Sequence, residues 1–156
     1  MRLVLDTDVV VAGLRSSTEA SRVLLQAVEA GIITPLVSIA TVLEYEAVLK
    51  RPAQMAATYL GPAEVDAFLD GFVALADHID PVFRHWPSIR DPDDEMLVAV
   101  AFNGEADAIV TFNLGDFTPI DPGCPGLGVP VCRPGDIVRR LSWRAPATSP
   151  SAFPHH

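Results

Sequence analysis

Lysine is almost missing from this chain: Lys50 is the only one among 156 residues, beside ten arginines. Cysteine is scarce too, with Cys124 and Cys132 alone. The two are not spaced as C-x-x-C and have no histidine near them, which excludes a zinc site and a disulfide framework. Long apolar runs are missing. The longest, Met96–Phe102, has seven residues, far below the roughly 18 of a membrane span. The first candidate strand starts at residue 2 or 3 and leaves no room for a signal peptide, so the expected location is cytoplasmic, away from any membrane. Positive charge is also short. Eleven basic residues face twenty acidic ones, a net charge of −9. That excludes a simple electrostatic nucleic-acid binder, which would show a basic patch. It leaves open an enzyme that meets phosphate through bound cations, because such a site must itself be acidic. G-x-S-x-G is missing, and His78 and His85 are isolated, so a serine or cysteine hydrolase finds no support. The glycines of PGCPGLG are followed by no Gly-Lys-Ser/Thr and read as a surface turn.

An apolar fraction of 49% and a charged fraction of 20% remain, the profile of a globular domain. Short buried strands alternate with helices along the chain. Residues 2–6 read as a continuous apolar strand stopped by Asp6. Glu19–Ala30 is amphipathic, with Ser16, Ser17 and Thr18 as candidate caps and Gly31 as its stop. Thr34–Ser38 reads as a strand, and Ser38 caps a helix over Ile39–Lys50. A shorter helix over Ala53–Leu60 ends at the Gly61-Pro62 break. Ala63–Asp77 carries Val65, Phe68, Leu69, Phe72 and Leu75 at helical spacing. His78–Val82, Ala108–Thr111 and Gly128–Val131 read as strands. A helix runs from Asp91-Pro92 to Asn103, and a last one from Pro134 to Leu141. This alternation predicts an α/β fold with a central parallel sheet covered on both faces. One domain is expected over residues 1–141, followed by a disordered tail over 142–156, rich in Ala, Pro and Ser.

In open α/β sheets a ligand sits beyond the carboxyl ends of the strands. LDTDVVVAGL puts Asp6 at such an end, with Asp8 two residues on. AIVTFNLGDF puts Thr111, Asn113 and Asp116 at another. Capping of the next helix would account for either acid taken singly. In IATVLEYEAVLK, Glu46 has Lys50 four residues on, the order of an exposed ion pair. Glu44 instead lies on the stripe of Ala40, Thr41, Ala47 and Val48, and is expected to face the sheet, with a metal or with Arg51 as its partner. RDPDDEM is the densest cluster. Asp91 suits an N-cap and Pro92 the first helical position, but Asp93, Asp94 and Glu95 exceed what capping needs. Met96–Phe102 is apolar all round, so this helix is expected to be deeply buried. Periodicity does not choose between Asp93 and Asp94.

Several carboxylates converging in one pocket repel one another unless cations are present. Hard oxygen ligands without thiolate or imidazole suit Mg²⁺ or Mn²⁺. Such an ion activates water and steadies charge on a phosphodiester. Two other readings use the same residues. DTDVV fits the DxDx(T/V) pattern of haloacid dehalogenase-like phosphatases, which also need a lysine near the phosphate. Alternatively, the acidic pocket is a binding module filled by a partner's arginine, with little turnover.

Taken in order, LDTDVVVAGL, LEYEAVLKRP, RDPDDEMLVAVA and AIVTFNLGDF resemble the PIN-domain family, and within it the VapC-like toxin components of bacterial toxin–antitoxin systems. The resemblance covers residues 1–141. It implies a three-layer α/β/α sandwich and a Mg²⁺- or Mn²⁺-dependent endoribonuclease. It also implies a cognate antitoxin, a homodimer and an RNA substrate. Carried over by motif, the four acids that bind metal and act in catalysis are Asp6, Glu44, Asp94 (with Asp93 as rival) and Asp116. Thr111 and Asn113 match polar positions beside the fourth. Asp8 is a departure, since the family often has Asn or Ser there. Arg15 and Arg90 are further candidates for contact with an RNA backbone.

Overall fold

The structure is a computed structural model that describes residues 1–82, 94–117, 128–145 and 153. Five strands form one parallel sheet in the order β3-β2-β1-β4-β5. They are β1 (Arg2–Leu5), β2 (Thr34–Val37), β3 (Asp77–His78), β4 (Ala108–Val110) and β5 (Val131–Cys132). β1 pairs with β4 through Leu3↔Ala108, Val4↔Ile109 and Leu5↔Val110. On its other side it pairs with β2 through Arg2↔Thr34 and Leu3↔Pro35. The strands are short and apolar because both faces are covered.

Alternation along each strand splits the core in two. Leu3, Leu5, Val37, Ala108 and Val110 face one cluster, which holds Val9, Val10, Leu14, Leu24, Leu25, Tyr45, Leu49, Phe68 and Phe72. Val4, Leu36 and Ile109 face the other, with Leu97, Val100, Ala101 and Phe117. The first cluster is built from α1 (Thr7–Arg15), α2 (Ala20–Glu29), α3 (Ile39–Leu49), α5 (Pro62–Ala74) and α7 (Pro134–Arg140), with α4 (Pro52–Thr58) joining α3 to α5. The second is built from α6 (Glu95–Asn103) and a 3₁₀ turn, Leu114–Phe117. The result is the expected α/β/α sandwich.

Local chemistry explains most of the element boundaries. Ser38 caps α3 with a reciprocal capping box to Thr41. Pro52, Pro62 and Pro134 open α4, α5 and α7, where proline's fixed φ suits the first turn. At Gly13 an added Cβ would lie 2.6 Å from Leu25 Cδ1 and 3.0 Å from the Ser21 carbonyl. Glycine is what lets α1 and α2 pack this closely. At the amino end of the sheet, Arg2 ties three elements together. Its N–H donates to Asp107 Oδ2 at 2.7 Å, its guanidinium donates to the Gly104 carbonyl at 3.0 and 3.2 Å, and it pairs with Asp77.

Two expectations about helices need correction. The sequence pattern predicts no helix between residues 7 and 15, yet α1 forms there with Val9, Val10, Val11 and Leu14 buried. α6 is not buried all round: Leu97, Val100 and Ala101 are covered, but Phe102 is 51% exposed. This helix is an outer layer, so only its sheet-facing side is sealed. In the tail, Phe153 is buried, packs edge-on to Phe68 with ring centroids 5.0 Å apart, and donates its N–H to Glu29.

Candidate active site

The strand order reverses at β1. β2 and β3 lie to one side of it, β4 and β5 to the other. The crevice beyond the carboxyl ends of β1 and β4 is therefore the topological switch point, where ligands of such sheets bind. Asp6 follows β1 and Thr111 follows β4. The register that pairs Leu5 with Val110 sets the two side by side.

Asp6 is buried and is held at every polar atom of its backbone and side chain. Its N–H donates to the Val110 carbonyl at 2.9 Å, and its own carbonyl accepts from Val9 at 3.0 Å as α1 begins. Its Oδ1 accepts the Thr7 N–H at 2.8 Å and its Oδ2 accepts the Thr111 hydroxyl at 2.7 Å. Asp6 is thus the N-cap of α1, as capping alone would predict. The Thr111 bond, from a residue 105 positions away, is not a capping contact. Burial pushes the Asp6 carboxyl above its usual range, helped by the charges of Asp8 and Glu44 and opposed by the bonds from Thr111 and Thr7. A buried carboxylate beside two like charges is costly as an anion and suited to a cation.

The neighbours form one network. Thr7 donates its hydroxyl to Glu44 Oε2 at 3.0 Å, which links the second acid to the residue after the first. Asn113 donates its side-chain amide to Asp8 Oδ2 at 3.2 Å, and its N–H to the Thr111 hydroxyl at 3.0 Å. Asp6, Glu44, Asp8, Thr111 and Asn113 are therefore brought together. Glu44 differs from expectation in one respect: it is exposed rather than turned to the sheet, because its stripe is only partly covered, with Thr41 buried and Ala47 exposed. Glu46 does pair with Lys50, at 3.6 Å.

The later acids sit on the second layer. Asp94 is half-buried at the N-cap position of α6, and Asp116 is half-buried in the 3₁₀ turn, its N–H on the Asn113 carbonyl at 3.1 Å. The carboxyl end of α6 is fixed at the start of β1 through Arg2 and Gly104. A helix rises about 1.5 Å per residue, so α6 opens roughly 15 Å along its axis from that point. Asp93, Arg90, His85 and Cys124 lie outside the described residues. Arg15 is exposed at the far end of α1, about 12 Å along the helix from Thr7. His78 is exposed, with its ring Nε2 3.3 Å from the Val73 carbonyl.

The donor set consists of carboxylate, hydroxyl and amide oxygens, which fits a hard divalent cation. Each Asp6 oxygen keeps a lone pair beyond its hydrogen bond. Among the described residues, no three acidic, histidine or cysteine side chains are gathered closely enough to form a complete metal site. The phosphatase reading loses its remaining support, because Lys50 is committed to Asp66 at 2.7 Å and to Glu46. Two polar residues escaped the sequence reading. Thr7 carried no signal beyond its place between two acids. Tyr45 carried none beyond its place after Glu44.

A family model described as the PIN domain matches residues 2–115. The chain belongs to the PIN-domain family, whose members are generally nucleases. Comparison with curated proteins and with solved structures returned no match. Among the described residues no helix is long and apolar enough to cross a membrane.

Proposed function

We propose that this PIN-domain chain is a metal-dependent endoribonuclease, the toxin of a bacterial type II toxin–antitoxin system. It would act in the cytoplasm as a homodimer restrained by a cognate antitoxin. The observation that carries the catalytic reading is Asp6: a buried carboxylate at the switch point, gripped by Thr7 and Thr111 and opposed by the charges of Asp8 and Glu44. Asp6, Glu44, Asp94 and Asp116 would hold Mg²⁺ or Mn²⁺, with Asp93 as the rival third acid. A bound ion of this kind lowers the pKa of water and neutralises charge on a phosphodiester under in-line attack.

The chain's own groups supply the rest. Thr111 fixes the direction of Asp6 through its hydroxyl and, by donating to it, favours the ionised form against burial. Thr7 fixes the direction of Glu44 through its own hydroxyl. Asn113 holds Asp8 with one amide proton and has the second to offer a phosphate oxygen. Asp8 adds negative charge at the mouth of the site, which favours a cation there and raises Asp6. With a net charge of −9, the chain repels RNA at long range. Binding would therefore depend on the cation and on short-range contacts, among them Arg15 with a phosphate away from the scissile one.

The test is Asp6→Asn. Pure protein is incubated with structured and unstructured RNAs, with and without Mn²⁺, and the cleavage ends are mapped. Loss of cleavage with a native circular dichroism spectrum is expected. Full activity in the variant would rule out the mechanism. Wild-type protein that binds Mn²⁺ yet cuts no RNA would favour a binding role instead.

A further inference from the structure

Tyr45 is 1% exposed in the middle of α3, and its ring packs edge-on against Phe72 at 5.9 Å and 85°. A phenylalanine would fill that space equally well. A buried hydroxyl costs free energy unless it is bonded, so what it bonds is informative. It donates to the carbonyl of Leu5. That carbonyl and the Asp6 N–H belong to the same peptide unit. The N–H is held by Val110 of β4 at 2.9 Å, so this one peptide plane is gripped from β4 at its N–H and from α3 at its C=O.

The preceding residue of α3 repeats the contact one step along. Glu44 accepts the hydroxyl of Thr7 at 3.0 Å. Consecutive residues of α3, Glu44 and Tyr45, thus meet Thr7 and Leu5, the two residues that flank Asp6. We propose that these two hydrogen bonds are a staple that fixes the separation of the Asp6 and Glu44 carboxylates, with Tyr45 and Thr7 as positioning residues for a cation held between them. This rests on the metal-dependent reading above. Neither residue needs to touch metal or RNA. Partners that orient metal-binding groups typically account for about 10–100-fold in metal affinity.

Mn²⁺ binding to the full chain is measured by calorimetry for wild type, Tyr45→Phe and Thr7→Val. Thermal unfolding in EDTA and the split of kcat from KM on RNA are recorded alongside. The expected result is a Mn²⁺ dissociation constant raised about 10-fold or more in both variants. The RNA KM should be unchanged, and kcat should recover as Mn²⁺ is raised. A purely structural role would lower the melting temperature and leave the Mn²⁺ affinity of the folded protein alone, which overturns the staple. Thr7→Val changes no core aromatic, so it decides the question if Tyr45→Phe does not fold. Wild-type protein that takes up no Mn²⁺ overturns the metal reading and the staple together. Wild-type protein that binds, with both variants binding equally well, overturns the staple alone.

Discussion

Replacing Asp6 by Asn should make the metal-free protein more stable. The two side chains have nearly the same shape, and Asn keeps an acceptor for the Thr7 N–H while the Thr111 hydroxyl can turn to accept from its amide. Burial is the largest cause of the raised Asp6 pKa, with Asp8 and Glu44 adding to it. The native state therefore binds this proton more tightly than the unfolded chain. Stability from this group is greatest below the unfolded pKa and falls as pH rises, so the cost is complete only above the raised folded pKa. Two charge-assisted hydrogen bonds become neutral ones, a loss of about 1 kcal/mol each. Against that, the desolvation penalty relieved is several kcal/mol. The net gain is on the order of 1–2 kcal/mol. At about 2–4 °C per kcal/mol for a chain of this size, the melting temperature should rise about 2–8 °C. The gain should fade as pH falls through the raised folded pKa and be gone below about pH 4, where an ordinary aspartate is also protonated. Mn²⁺ should reverse the order. At 100 times its dissociation constant it adds about 2.7 kcal/mol to wild type, about 5–11 °C, and little to the variant. Scanning calorimetry in EDTA and in Mn²⁺, at neutral and acid pH, checks both halves. A variant that melts below wild type in EDTA at neutral pH, or equal Mn²⁺ shifts in the two proteins, would refute the reasoning.

Asp8→Asn removes one of the charges that raise Asp6 and should lower the Asp6 pKa in metal-free protein, measured by carboxyl-carbon NMR; because burial remains, the value should stay above the ordinary range. Thr111→Val should move the same titration the other way, since the Thr111 hydroxyl is the bond that most lowers it. With the Asn113 N–H also losing its acceptor, unfolding in urea should show a loss of about 1–3 kcal/mol. A shift of the same sign in both variants would contradict the network. Phe153→Ala should cost about 3 kcal/mol by urea unfolding, the lower range for a buried phenylalanine. Unchanged stability would show that this ring contributes nothing to the core.

The central strands β1, β2 and β4 were legible because each is a short apolar run closed by a polar or turn residue. The edge strands β3 and β5 share only His78 and Val131 with the expected His78–Val82 and Gly128–Val131, since two-residue strands carry too little pattern to fix their bounds. α3 was legible from Ser38 and from the break before Pro52. α1 was not. Its VVVAGL stretch has no polar face, and three successive β-branched residues disfavour a helix locally. Packing against α2 and the sheet overrides that preference, and the Asp6 cap supplies the start. α6 failed in the opposite sense. Its continuous apolar run implies burial on all sides, yet among the described residues it is the one helix on its face of the sheet, so Phe102 is left in solvent. Periodicity separated Glu44 from Glu46 but could not see Thr7, which turns Glu44 towards the strand end.

The two acids of LDTDVV show why a motif of this kind is ambiguous by itself. Asp6 has extended backbone (φ −62°, ψ 149°), and Asp8, two residues on, lies in the first turn of α1. That change of conformation sends one carboxylate into the crevice, where Thr111 meets it, and leaves the other exposed at the rim, where Asn113 reaches it. A phosphatase with the same D-x-D would need a lysine near that rim to take a phosphate. Here the chain after β4 returns a threonine and an asparagine instead, and the only lysine, at the carboxyl end of α3, is bound to Asp66 of α5. The two acids are chemically alike, but the residues returned by β4 give them different partners. The surroundings that separate the two carboxylates therefore come from segments about 40 and 105 residues away from the motif itself.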